Sequence, residues 1–279
     1  MANLVSNSVE RASRPSPVAL LRAAHFGPTL AVTVVVALLA TSSELTRPTA
    51  FLVTTAVFTG QLTIGWANDL LDRDRDRKSG RTDKPLANGE IPPRLVQASL
   101  GVAAAACVLL SFSVGWRSAV VHLFLGVASG HAYNLGLKST VLSWLPYALA
   151  FGTLPAVVSL AGSSPEMPPW WMMTASAALG VAAHFLNTLP DFEDDAATGV
   201  RGLPHRLGGT TSRVLATALL LTASGTAALG PGFPPSWGWA VLSGTLGLAV
   251  VALLGRGKVP FHAAVAIAVL DVALLAVRA

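Results

Sequence analysis

The sequence predicts an all-α membrane protein, and three observations carry the prediction. Of 279 residues, 52% are apolar or aromatic and only 12% are charged, about half the share that covers the surface of a soluble domain. The apolar residues fall into stretches of roughly 20, the length of a helix that crosses a bilayer. The basic residues divide unevenly between alternate connections, as inside and outside loops do. A soluble globular enzyme is excluded first. One cysteine, Cys107, excludes an intrachain disulfide and a Cys-rich zinc site.

Residues 1–16 are polar and read as a disordered cytoplasmic tail; the late start of the apolar run argues against a cleaved signal peptide. Residues 17–279 read as one membrane domain. Its apolar stretches lie near 18–42, 48–68, 95–113, 117–136, 140–162, 169–188, 212–230, 237–255 and 260–277, which predicts nine transmembrane helices. Cys107 sits inside the third. Gly126 and Gly130 give the fourth a GxxxG spacing, a mark of close helix packing. Pro190 should bend or end the sixth. Asp271 stands alone in the last, with no partner to name.

With nine spans and a cytoplasmic N-terminus, the inside holds Arg11, Arg14, Arg22, Arg73, Arg75, Arg77, Lys78, Arg81, Lys84, Arg94, Lys138, Arg201, Arg206, Arg213, Arg256 and Lys258. The outside holds Arg47, Arg117 and Arg278. Sixteen against three is the asymmetry of a multi-pass protein in the cell membrane. The net charge of +5 thus follows from topology and calls for no nucleic acid.

Topology does not explain the acids. Ten of the fourteen lie in two inside segments, 68–94 and 187–211. The first contains Asn68, Asp69, Asp72, Asp76 and Gly80; the second contains Asn187, Asp191, Asp194, Asp195 and Gly199. Asn, Asp, Asp and Gly recur four residues apart in both, at one constant offset, which predicts internally duplicated helical bundles. A spacing of four stacks the oxygens on one helical face. Stacked carboxylates repel unless a divalent cation stands between them, and this donor set suits Mg²⁺. A diphosphate between the two stripes, with Arg81, Lys84, Lys138, Arg201 and Arg206 as counter-charge, completes the arrangement. A solvated loop of alternating charge explains Asp74 but not two matched copies. An EF-hand fails because Arg77 stands where glycine is required and Asp83 where glutamate is.

These two motifs, with Lys84-Pro85-Leu86 after the first and Thr198-Gly199 after the second, resemble the aspartate-rich signatures of the UbiA family of intramembrane prenyltransferases. The resemblance implies a ring of nine helices around a lipid-open central cavity. There a Mg²⁺-bound prenyl diphosphate donor ionises, and an acceptor, small and aromatic or otherwise lipophilic, captures the allylic cation. It also implies that Asn68, Asp72, Asp191 and Asp195 hold Mg²⁺, with Asp69, Asp76 and Asp194 assisting. Tyr133 and Lys138 resemble the family's Tyr and Lys beside the diphosphate, with Asn134 where a serine is common. The catalytic expectation rests on Asp72, Asp191, Lys138 and Tyr133, and the diphosphate contacts on Arg81, Lys84, Tyr133, Lys138 and Arg201. Trp66 and Phe185 are candidates to line the cavity, or else packing residues, and His184 is a candidate hydrogen-bonding residue on the acceptor side. No role is assigned to His25, His122, His131, His205 or His262. A UbiA-type terpene cyclase, closing the cation on its own double bonds, is the alternative. A transporter with ion sites at broken helices fits less well, because the stripes lie at span ends and not near the midplane.

Overall fold

The computed structural model describes residues 16–197 and 199–276; the tail through Pro15, Thr198 of the second motif and Arg278 lie outside the described residues. Every regular element among the described residues is helical. In order they are α1 (Pro17–Ala23), α2 (Phe26–Thr41), α3 (Arg47–Lys78), α4 (Pro93–Ser113), α5 (Trp116–Val120), a π-helical segment (Val121–Val127), α6 (Ala128–Asn134), α7 (Leu145–Gly152), α8 (Leu154–Ser159), α9 (Trp170–Thr188), α10 (Phe192–Ala197), α11 (Leu203–Leu207), α12 (Gly209–Leu229), α13 (Ser236–Leu254) and α14 (Val259–Ala276). The long helices pack in succession, α2 on α3, α3 on α4, α7 on α9, α9 on α12, α12 on α13 and α13 on α14, and α14 returns to pack on α2, so the circuit closes into a ring. Large apolar side chains such as Phe51, Val102, Leu109 and Leu254 stay exposed on its outside. In water such a surface would associate; in hydrocarbon it has its proper solvent.

Each of the nine apolar stretches falls on helical chain, but helix length alone does not carry nine spans. Among the described residues five helices are long and apolar enough to cross a membrane, or six if the bent pair α1 and α2 is one span. The fourth stretch is divided by the π segment and the fifth by a break between α7 and α8. A further difference lies at α3, which continues to Lys78 and makes helix of the first part of the Asp-rich segment 68–94. Its Asp and Arg residues pair one turn apart, as Asp72 does with Arg75, and such pairs extend a helix beyond its apolar run.

The duplication is visible in the backbone. After the first stripe Gly80 N–H donates to Arg77 and Arg81 N–H to Asp76; after the second Gly199 N–H donates to Ala196 and Val200 N–H to Asp195. Both are the paired closure of a Schellman motif. Both glycines are left-handed, at φ 68° and 81°, a conformation that costs other residues a Cβ clash. The copies differ upstream, where Pro190 ends α9 and inserts a 3₁₀ turn, Leu189–Asp191, before α10.

The first span breaks by 75° between α1 and α2. His25 sits at the break in the left-handed region, φ 52°. The break is pressed onto α3: Trp66 Nε1 donates to the Leu20 carbonyl at 2.9 Å, and a Cβ on Gly65 would lie 2.2 Å from the Ala24 carbonyl oxygen. Backbone cannot step aside as a side-chain tip can. Gly65→Ala is therefore expected to cost about 2 kcal/mol and to lower the melting midpoint in detergent. An unchanged midpoint would refute this contact.

Candidate active site

The first stripe lies on one face of α3, and its carboxylates are buried: Asp69, Asp72 and Asp76 are 2%, 7% and 5% exposed. Buried carboxylates require partners. Lys138, on the 3₁₀ turn Leu137–Ser139 after α6, donates to both oxygens of Asp72 at 2.6 and 2.7 Å. Arg75 donates to Asp72 Oδ2 at 2.8 Å and Asn68 Nδ2 at 3.1 Å. Asn134 fixes Asn68 in turn, accepting from it at 3.1 Å while donating to the Ile64 carbonyl at 2.9 Å. The residue that departs from the family's serine thus orients a metal-candidate amide. Asp69 accepts from Lys84 at 2.8 Å, with His25 Nε2 at 3.4 Å, and its other oxygen is buried without a partner. Arg75 Nε lies 3.6 Å from Asp76.

The second stripe is more open. Arg81 reaches across to it, 3.7 Å from both Asp191 and Asp194. Arg81 is itself held by Asp83 through two bonds of 2.9 Å. That pairing lowers the Asp83 carboxyl to about 2, and together with nearby acids it raises the Arg81 guanidinium, so both stay charged. His205 Nε2 stands 3.2 Å from Asp195, its ring stacked on Phe192 at 4.5 Å. That approach is close enough for charge attraction, but its angle makes no hydrogen bond. Tyr133 packs edge to face on Tyr147 at 5.3 Å and on His184 at 5.6 Å. Arg81, which follows the first stripe and reaches the second, ties the two to a common site.

The donors fit Mg²⁺ by chemistry: carboxylate and amide oxygens, one of them, on Asp69, without a partner. Among the described residues no three carboxylate, His or Cys groups converge closely enough to hold a metal ion by themselves. Lysine, arginine and histidine contacts hold most of these carboxylates apart.

The structure thus brings together Asn68, Asp69, Asp72, Asp76, Lys84 and Lys138 on one side, Asp191, Asp194 and Asp195 on the other, with Arg81 between; Tyr133 packs instead on Tyr147 and His184. Arg201 is not brought in: it is exposed, and its carbonyl accepts from Arg206 Nε at 3.1 Å. Trp66 packs against α1 and α4, and Phe185 packs in the core of α9, α12 and α14. Both are packing residues. His184 is fully buried, bonded to Ser143 at 3.0 Å and stacked on Tyr147 at 4.7 Å. Asp271 finds Ser224 at 2.9 Å. Gly130 confirms close packing, since a Cβ there would meet Ile64 at 2.5 Å. Sequence reasoning missed Arg75, His25 and His205, and marked Asn134 only as a departure from a common serine. Only Arg75, three residues after Asp72 on a helix, carried a signal; the histidines arrive from distant segments.

Known proteins resemble this chain in sequence and in fold. The model of the UbiA prenyltransferase family matches residues 29–270. A protoheme IX farnesyltransferase of Parafrankia sp. is 29% identical over 203 residues, 70% of this chain and 64% of that protein. The bacteriochlorophyll synthase 33 kDa chain of Cereibacter sphaeroides is 32% identical over 184 residues, 60% of this chain and 58% of that one. A protoheme IX farnesyltransferase of Natronomonas pharaonis is 32% identical over 155 residues, 53% of this chain and 34% of its own. The chain thus spans between about a third and two thirds of the curated relatives it matches. A UbiA homologue of Archaeoglobus fulgidus bound to DMAPP and Mg²⁺ superposes with a TM-score of 0.72 at 17% identity, covering 91% of this chain and 96% of that one. A UbiA homologue of Aeropyrum pernix superposes with a TM-score of 0.71 at 19% identity, covering 94% and 98%. At such identities the superpositions speak for the fold alone. The family model, matched over most of the sequence, speaks for descent, and the chain belongs to the UbiA prenyltransferase family.

Proposed function

We propose that this protein transfers a prenyl group from an isoprenyl diphosphate to a lipophilic, aromatic acceptor inside the cell membrane, with the Asp-rich segments on the cytoplasmic side. The supporting observation is the pair of carboxylate stripes bridged by Arg81 and lined with Lys84 and Lys138. Asn68, Asp72, Asp191 and Asp195 would hold Mg²⁺, with Asp69, Asp76 and Asp194 beside them. Mg²⁺ supplies neutralising charge for the diphosphate. Lys138, Lys84 and Arg81 add fixed positive charge where negative charge grows as the allylic carbon–oxygen bond breaks. Diphosphate leaves with the bonding electron pair, the allylic carbon bonds to the acceptor, and the acceptor gives up a proton. Apolar walls around the cation exclude water, which would otherwise capture it.

The test uses purified protein and donors of ten, fifteen and twenty carbons, with and without phenolic acceptors. Diphosphate release should require Mg²⁺, stop with EDTA, and fall by about a hundredfold in Asp191→Ala. Undiminished release in that variant and with EDTA would sink the reading. A cyclic hydrocarbon or alcohol formed without acceptor would assign the site to terpene cyclisation instead.

A further inference from the structure

The break in the first span places a strained residue against the first stripe. Among the described residues His25 is the one residue other than glycine with a positive φ, 52°. That backbone costs a residue with a Cβ free energy and persists only where its surroundings over-determine it. Here they do. His25 N–H donates to the Arg22 carbonyl at 3.1 Å, and the His25 carbonyl accepts from Thr29 N–H at 3.2 Å. Thr29 Oγ1 donates to the Ala24 carbonyl at 3.0 Å, while Trp66 and Gly65 of α3 meet the same turn from the other side. Glycine or asparagine would take this backbone more readily, so the turn by itself does not call for a histidine.

The side chain does have a use. Lys84 Nζ lies 2.9 Å from His25 Nε2 and 2.8 Å from Asp69 Oδ1. An ammonium has three hydrogens and no lone pair, so Nε2 accepts and the ring hydrogen sits on Nδ1. Two ammonium hydrogens are thus engaged among the described residues, and the third is left for a ligand. Asp69, on the same ammonium, also has an oxygen to spare, since its Oδ2 is buried without a partner. A free N–H donor and an open carboxylate oxygen on one ion pair fit a phosphate oxygen and the divalent cation that accompanies it.

Lys84 stands in the connection between α3 and α4, residues 79–92, where no regular helix aims it. The break in the first span fastens that connection instead. Arg22, one turn before His25, donates to the Asp83 carbonyl at 3.1 Å and to the Glu90 carboxylate at 3.1 and 3.3 Å. Asp83 precedes Lys84 and is the residue that holds Arg81. One turn of chain therefore grips, at Asp83, Lys84 and Glu90, the segment that carries both cations of the first stripe.

We propose, resting on the prenyl-transfer reading, that His25 is a positioning residue for the donor: its Nε2 holds the Lys84 ammonium so that the remaining hydrogen meets the diphosphate, and the left-handed turn is what aims the ring. Arg22 steadies the connection behind it. Without the ring, Lys84 keeps Asp69 alone and its long stem turns freely, and ordering it again weakens donor binding.

The experiment measures donor KM, the Kd of inorganic diphosphate with Mg²⁺ by calorimetric titration, and the melting midpoint in detergent, all on the full chain. His25→Met and His25→Gln are close in size and bear the same backbone strain, but only glutamine keeps an accepting oxygen at the reach of Nε2. His25→Met is expected to raise the donor KM and the diphosphate Kd about tenfold, and His25→Gln should recover most of both. His25→Gly relieves the strain, so it should melt no lower than His25→Met and yet lose diphosphate affinity as methionine does. In a Lys84→Met background, His25→Met should change donor KM by less than about twofold, because the group it acts through is gone. An equal loss in His25→Gln, affinities that follow the melting midpoint, or a full effect without Lys84 overturns the proposal. Should His25→Met fail to fold, His25→Gly against His25→Gln makes the same comparison. If KM and Kd stay unmoved in these variants while Mg²⁺-dependent diphosphate release persists, this inference falls and the proposed function stands. If the unaltered protein releases no diphosphate from any donor, both fall.

Discussion

Asp72→Asn is expected to reduce diphosphate release by about a thousandfold. Asp72 is the point where the first stripe is most heavily committed: Lys138 grips both its oxygens, Arg75 and Asn68 share one of them, and only 7% of the residue is exposed. Asparagine keeps its shape and removes its charge, so the loss would be read in turnover and Mg²⁺ requirement before stability. Alanine goes further and leaves two cations facing each other without their anion, at a cost of about 3 kcal/mol. Asp72→Ala should therefore also melt earlier than Asp72→Asn. Retention of more than about a tenth of turnover in Asp72→Asn, measured at saturating Mg²⁺, would show that the stripe is structural.

Lys138→Met should lower turnover by about a hundredfold while moving the Mg²⁺ midpoint to lower concentration. The signs differ for one reason. The ammonium contributes positive charge for the leaving diphosphate, but it also competes with the metal for Asp72, where it now sits at 2.6 Å. Removing it weakens the first effect and relieves the second. Combined with Asp72→Asn, its effect should be far from additive, because the two residues share one contact. A Mg²⁺ midpoint that rises in Lys138→Met would contradict the competition.

Much of the fold was legible because a bilayer makes it so: apolar stretches of helical length have few alternatives. The constant spacing of Asn68, Asp72 and Gly80 against Asn187, Asp191 and Gly199 likewise exposed the duplication, and the matched Schellman closures at Gly80 and Gly199 gave it a backbone form. Pro190 marked its own break. Less legible was the end of α3, since a run of alternating Asp and Arg reads as loop until its one-turn pairs are seen on a helix.

The sequence by itself determined the membrane class, the two carboxylate stripes and their hard-oxygen chemistry, because composition and spacing of four are local properties. Only the tertiary structure decided which cation answers which carboxylate. Lys138 on Asp72, Lys84 with His25 on Asp69, Arg81 on Asp191 and His205 beside Asp195 join segments far apart in the chain. It also decided that Trp66 and Phe185 pack. The reason is geometric: helical periodicity tells which residues share a face, but which face meets which is fixed only when the ring closes.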